Sequence, residues 1–229
     1  MLTFAAAITL LLFFSGLLFL IGRVTSSRRQ RELIHAASAM ESNYEPWRPT
    51  TPLREAGLPL LNGSDVRFGR HWIETPAGSM FDFTCVTTGR ASTASSTQTL
   101  VIINCPLPIE GCLSVSKHQW LTSDAMTPGN DAPLLHIPEE LRPSALQHWF
   151  ITGRPPHRVA RLLSAGVTDW LLAHPHLHIE WSDGILLGCQ PGYLIDACEL
   201  DLVLKDMNEL GQHLATAFYT HGNEHAESS

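Results

Sequence analysis

Residues 148–188 read HWFITGRPPHRVARLLSAGVTDWLLAHPHLHIEWSDGILLG, and the reading of this stretch decides the fold. An apolar strand pattern over 146–152 is ended by Gly153 and by the Pro155-Pro156 pair, because proline brings no amide hydrogen to a sheet ladder. Val159, Leu162, Leu163, Val167, Trp170 and Leu171 then recur at helical spacing and predict an amphipathic helix over 157–173. Two short strands follow, 177–181 and 185–189, joined by Ser182-Asp183-Gly184, whose Asp-Gly step suits a tight hairpin turn. Strand, helix, strand, strand contains no alternating βαβ repeat, so the sheet should be mainly antiparallel.

Upstream, 71–75 alternates weakly, 79–88 carries aromatic and β-branched residues, and 97–105 holds Leu100, Val101, Ile102 and Ile103. These predict neighbouring antiparallel strands, with a turn at Ala77-Gly78, a polar loop over 89–96 and a fourth short strand over 112–118. The stretch 122–143, rich in Pro, Gly, Asn and Asp, reads as a long loop with one helical turn at 138–141. Leu194, Ala197, Cys198, Leu202, Leu204, Leu210, Leu214 and Phe218 predict a closing helix over 193–219. The expected class is α+β: an N-terminal transmembrane helix plus a mainly antiparallel sheet with two helices packed on one face.

The transmembrane expectation rests on residues 2–22, an uncharged run interrupted only by Thr3, Thr9 and Ser15. At about 1.5 Å per residue it covers roughly the 30 Å hydrocarbon core. No basic residue precedes it, and it lacks the basic start and short apolar region of a cleaved secretory signal. Arg23, Arg28, Arg29 and Arg31 follow it, so the positive-inside bias predicts an outside N-terminus and a cytoplasmic C-terminal domain at a bacterial inner membrane. The same arginines, Arg28, Arg29 and Arg31 above all, are expected to meet lipid headgroups. The predicted division is an anchor at 1–23, a juxtamembrane linker at 24–59 made extended by Pro46, Pro49 and Pro52, an α+β domain at 60–220 and a disordered tail at 221–229.

Composition narrows the function. With 229 residues, 44% hydrophobic and 16% charged, the chain has enough material for one buried domain beyond an anchor. From Glu32 onward 11 basic residues face 22 acidic ones, which argues against a nucleic-acid partner. Five cysteines at irregular spacing, with no CxxC, predict buried free thiols and neither a disulfide framework nor a zinc ribbon. No phosphate-binding glycine loop of the GxGxxG or GxxxxGK[ST] type is present in the sequence.

The order of apolar span, arginine boundary, linker, strand pair, proline-rich loop and then 148–188 resembles that of uncharacterised bacterial single-span membrane-anchored proteins. The resemblance implies an architecture and brings no catalytic motif.

Three patterns could carry chemistry. His174, His176 and His178 alternate as metal ligands in an extended segment would, but Pro175 interrupts them and no further ligand is placed, so no metal and no cofactor is expected. His178-Ile179-Glu180 matches half of a zinc-deaminase signature whose PCxxC partner is missing. Ser114 to Lys117 spells SxxK, but residues three apart in a strand point to opposite faces. The preferred expectation is therefore an interaction or accessory module docking on a larger membrane complex or on itself, with Trp120, Trp149 and the 122–143 loop as contact candidates. The competing expectation is a His- or Cys-dependent enzyme or a small-ligand or metal sensor using His118, His136 or His148.

Overall fold

Asp183 and Gly184 both adopt positive φ, 46° and 82°, and so form the left-handed pair that a two-residue hairpin requires. In this computed structural model, which describes residues 24–62, 68–88, 93–117 and 135–223, that turn joins β8 (His178–Ser182) to β9 (Ile185–Cys189) at the centre of a nine-stranded sheet. The other strands are β1 (Asn43–Pro49), β2 (Phe68–Thr75), β3 (Gly78–Thr88), β4 (Thr93–Asn104), β5 (Cys112–Ser116), β6 (Leu135–His136) and β7 (Phe150–Arg154). Their order is β1-β2-β3-β4-β9-β8-β5-β7-β6, and every pairing is antiparallel.

The alternation of side chains divides the sheet into two buried faces. Ile73, Met80, Val101, Ile103, Trp181 and Leu186 point to one, where they pack with Leu33 and Ala37 of the helix at 24–39 (α1), with Val167, Trp170 and Leu171 of α5 (Ala165–Ala173), and with Leu204, Met207, Leu210 and Leu214 of α6 (Leu200–Asn223). Trp72, Phe81, Phe83, Leu100, Ile102 and Leu187 point to the other, against Leu58, Leu60 and Leu61. Those leucines lie in and beside α3 (Pro59–Asn62), which follows α2 (Thr51–Glu55). Helical cover on both faces replaces the expected cover on one.

The stretch expected as a linker is built into the domain. Its helix α1 contributes Leu33 and Ala37, 2% and 1% exposed, and β1 pairs with β2 as an edge strand. Prolines that suggested a spacer occupy places where they fit: Pro46 and Pro49 on the edge strand, and Pro52 in the first turn of α2.

The expected helix 157–173 is split. It comprises α4 (Pro156–Val159), a 3-10 turn Ala160–Leu162 and then α5, restarted because the Ser164 hydroxyl caps it by accepting from the Val167 amide at 3.5 Å. The closing helix starts later than expected because residues 192–195 bond to β4 instead. The Thr99 amide donates to the Tyr193 carbonyl at 3.0 Å, the Ile195 amide to Thr99 Oγ1 at 3.0 Å, and the Gly192 amide to Gln98 Oε1 at 3.0 Å. Likewise the expected strand 146–152 is a 3-10 turn, Ser144–Leu146, followed by β7.

The apolar run 2–22 lies outside the described residues; among the described residues no helix is long and apolar enough to cross a membrane. His118, Trp120, the 122–134 part of the long loop and the tail beyond residue 223 also lie outside them.

Candidate functional site

Three strands present polar residues to the α3 side of the sheet. On β8 these are His178, Glu180 and Ser182, which sit opposite Ser116, Ser114 and Cys112 of β5, with Thr152 of β7 opposite Ser114 on its other side. All are buried, and Glu180 is 0% exposed.

A carboxylate can occupy that position only with donors around it. The Leu60 amide, at the start of α3, donates to Glu180 at 3.0 and 3.1 Å to its two oxygens, and His178 Nε2 lies 2.8 Å from Oε1. Glu180 therefore clamps α3 to the sheet, accepting one of the amides that a helix start leaves unpaired. His178 Nδ1, on the opposite side of the ring, is buried and has no hydrogen-bond partner among the described residues. Beside this pair, burial pushes the Cys112 thiol up to about 12; Glu180 adds to the effect, and a hydrogen bond with Ser182 opposes it. A thiol held neutral in this way is not a nucleophile. Of these buried groups it is the Glu180 carboxylate that holds α3, with the imidazole beside it.

The three candidate histidines do not converge. His178 is buried on β8, whereas His174 ends α5, with Nδ1 2.8 Å from the Trp170 carbonyl, Nε2 3.7 Å from Asp206 and its ring stacked on Trp170 at 4.1 Å. His176 is tilted against His174 with ring centres 6.4 Å apart. Among the described residues no group of three His, Cys, Asp or Glu side chains could hold a metal ion. His136 and His148 are exposed, and so is Lys117, while Ser114 is buried.

The contact candidates also separate. Trp149 is 6% exposed and belongs to the core beneath α5 and α6. Arg29 turns inward: its Nη2 and Nε reach Asp82 at 3.1 and 3.2 Å, Nη1 donates to the Ile195 carbonyl at 2.7 Å, and Nη2 is 3.2 Å from Thr99 Oγ1. It binds the sheet and not a headgroup. Arg28 pairs with Glu32 at 2.7 Å on the exposed side of α1, and Arg31 Nε donates to the Ser27 carbonyl at 3.3 Å. Cys105, Cys112 and Cys189 are buried and outside any disulfide, whereas Cys198 is exposed.

Sequence reading passed over the role of Glu180 because its partner amide is 120 positions away. The available signal was the alternation His178, Glu180, Ser182 against Ile179 and Trp181, a strand with one polar and one apolar face.

No protein-family model matches the chain, and no curated protein matches it. Among solved structures its fold is similar to the crystal structure of the mycobacterial trehalose monomycolate transport factor A, with a TM-score of 0.57 over 81% of this chain and 93% of that one. The two sequences are 9% identical, so the likeness concerns the path of the backbone.

Proposed function

We propose that the chain is a membrane-anchored accessory module that docks on a larger membrane complex or assists its assembly. The observation that carries this reading is the attachment of α1. The apolar run 2–22 ends just before the first described residue of this helix, Val24, and α1 is fixed to the sheet by Leu33, Ala37 and the part-buried Arg29–Asp82 contact. If the 2–22 run spans a bilayer, few residues separate it from the part of α1 that is fixed to the sheet, which keeps the domain close to the membrane surface. That suits a protein presenting a fixed face to a neighbour in the same membrane. Arg28 and Arg31 remain available to anionic headgroups on the inner leaflet, with the domain on the cytoplasmic side. The protein of similar fold is a transport factor, which supports an accessory function of this kind.

The test is mild-detergent extraction of the C-terminally tagged chain from native membranes, followed by mass spectrometry of companions and metal analysis. A membrane protein recovered at fixed stoichiometry, and lost when the 2–22 run is removed with the domain still folded, is the expected result. A solitary chain, or one carrying near-stoichiometric metal, overturns the reading.

A further inference from the structure

A cleft of about 540 Å³ opens between the β4–β5 connection and the turn after α4, and it shares no residue with the His178–Glu180 clamp. Its positive charge comes from Arg158 in α4 and Arg161 in the following 3-10 turn. Both are exposed, and neither makes an ion pair or side-chain hydrogen bond among the described residues. Its apolar wall is Leu162, which is buried, with Ile109 and Phe218, which are half-buried. Pro108 and the exposed Glu110 complete the lining.

A guanidinium offers its donors in a fork matched to carboxylate and phosphate oxygens, so two of them on one rim suit an anionic group. Hydrocarbon beside them offers nothing to a small hydrated anion, and favours a ligand whose anionic head continues into an apolar chain. The volume lies within the roughly 300–1,000 Å³ usual for small-ligand sites. We propose that this cleft binds an anionic amphiphile, with its phosphate or carboxylate head at Arg158 and Arg161 and its acyl chain against Ile109, Leu162 and Phe218. Two positive charges against that of Glu110 suit a singly charged head. The assignment is independent of the docking role proposed above, since it uses none of the residues that fix α1.

The test is titration of the full chain, held in an amphipol, with lysophosphatidylglycerol, followed by native mass spectrometry; lysophosphatidylcholine and inorganic phosphate serve as the comparison ligands. One lysophosphatidylglycerol per chain is expected, weakened about tenfold or more by R158A/R161A through loss of charged hydrogen bonds. The same loss is expected from Ile109→Asp, with Phe218→Ser in its place should the first variant fail to fold. Equal binding of the phosphatidylcholine analogue, equal binding of phosphate alone, or undiminished binding by folded R158A/R161A each overturns the assignment.

Discussion

Arg29 and Asp82, 53 positions apart, meet through two contacts of 3.1 and 3.2 Å, with the arginine side chain 14% and the aspartate 7% exposed. Thr99 Oγ1 donates to the same carboxylate at 2.8 Å. Removing one partner of such a pair strands the other charge in a poorly solvated place, at a cost of about 3–5 kcal/mol. Arg29→Ala is expected to approach that loss in a urea unfolding curve and to free α1 to proteolysis. Arg28→Ala, on the exposed face one position earlier, is expected to leave the curve unmoved.

Glu180 is expected to govern α3 in particular. Glu180→Ala removes the acceptor of the Leu60 amide and of His178 together, which should cost about 3 kcal/mol as hydrogen bonds to a charged group. Amide exchange at Leu60 and Leu61 should quicken more than exchange in α5 or α6. Glu180→Gln retains an acceptor oxygen and should lose less. Uniform quickening across the whole domain would show that Glu180 supports the sheet and not the helix above it.

The thiols should divide by burial. Desolvation raises Cys105 from an ordinary 9.0 to about 11 and, with the help of Glu180, Cys112 to about 12, while Cys198 is exposed. At pH 8 iodoacetamide is therefore expected to label Cys198 in the folded chain and to reach Cys105 and Cys112 only after unfolding. A thiol whose folded pKa is raised favours the fold fully below its unfolded value. Stability should therefore fall as pH climbs from 9.0 towards 11 and 12, where the unfolded chain ionises first. A flat stability profile across that window would show these thiols to be solvated.

What was legible in the sequence was local. The Asp183-Gly184 step announces its hairpin because two consecutive positive φ values select few residues, and Leu100 to Ile103 announces a central strand because both of its sides are apolar. The misread elements depend on partners far along the chain. Arg29 looks like the headgroup-facing residue that Arg28 resembles until Asp82 arrives on β3. Leu58, Leu60 and Leu61 stand between proline and polar residues that signal a loop, and only the apolar face of β2, β3 and β4 makes them core. His178 and Glu180 carry the pattern of a solvated strand face, and it is α3 that buries them.

The crossing of α6 over β9 supplies the last prediction. A methyl group added at Gly188 would run into Met207 Sδ, would stand 2.8 Å from Met207 Cε and would lie 3.3 Å from Ile179 Cδ1. Met207 is 0% exposed, so its thioether has no solvent to retreat into. Gly188→Ala is therefore expected to cost about 1–3 kcal/mol by overpacking. Met207→Ala alone should cost about 2–5 kcal/mol through the cavity it leaves. In the double variant the new methyl enters that cavity, so the combined loss should be smaller than the sum of the two, a coupling that denaturant titration of the four chains measures directly. Strict additivity would mean that α6 shifts away from the sheet as a body, and would locate the rigidity of this face in the α5–α6 contact instead of in the Gly188–Met207 approach.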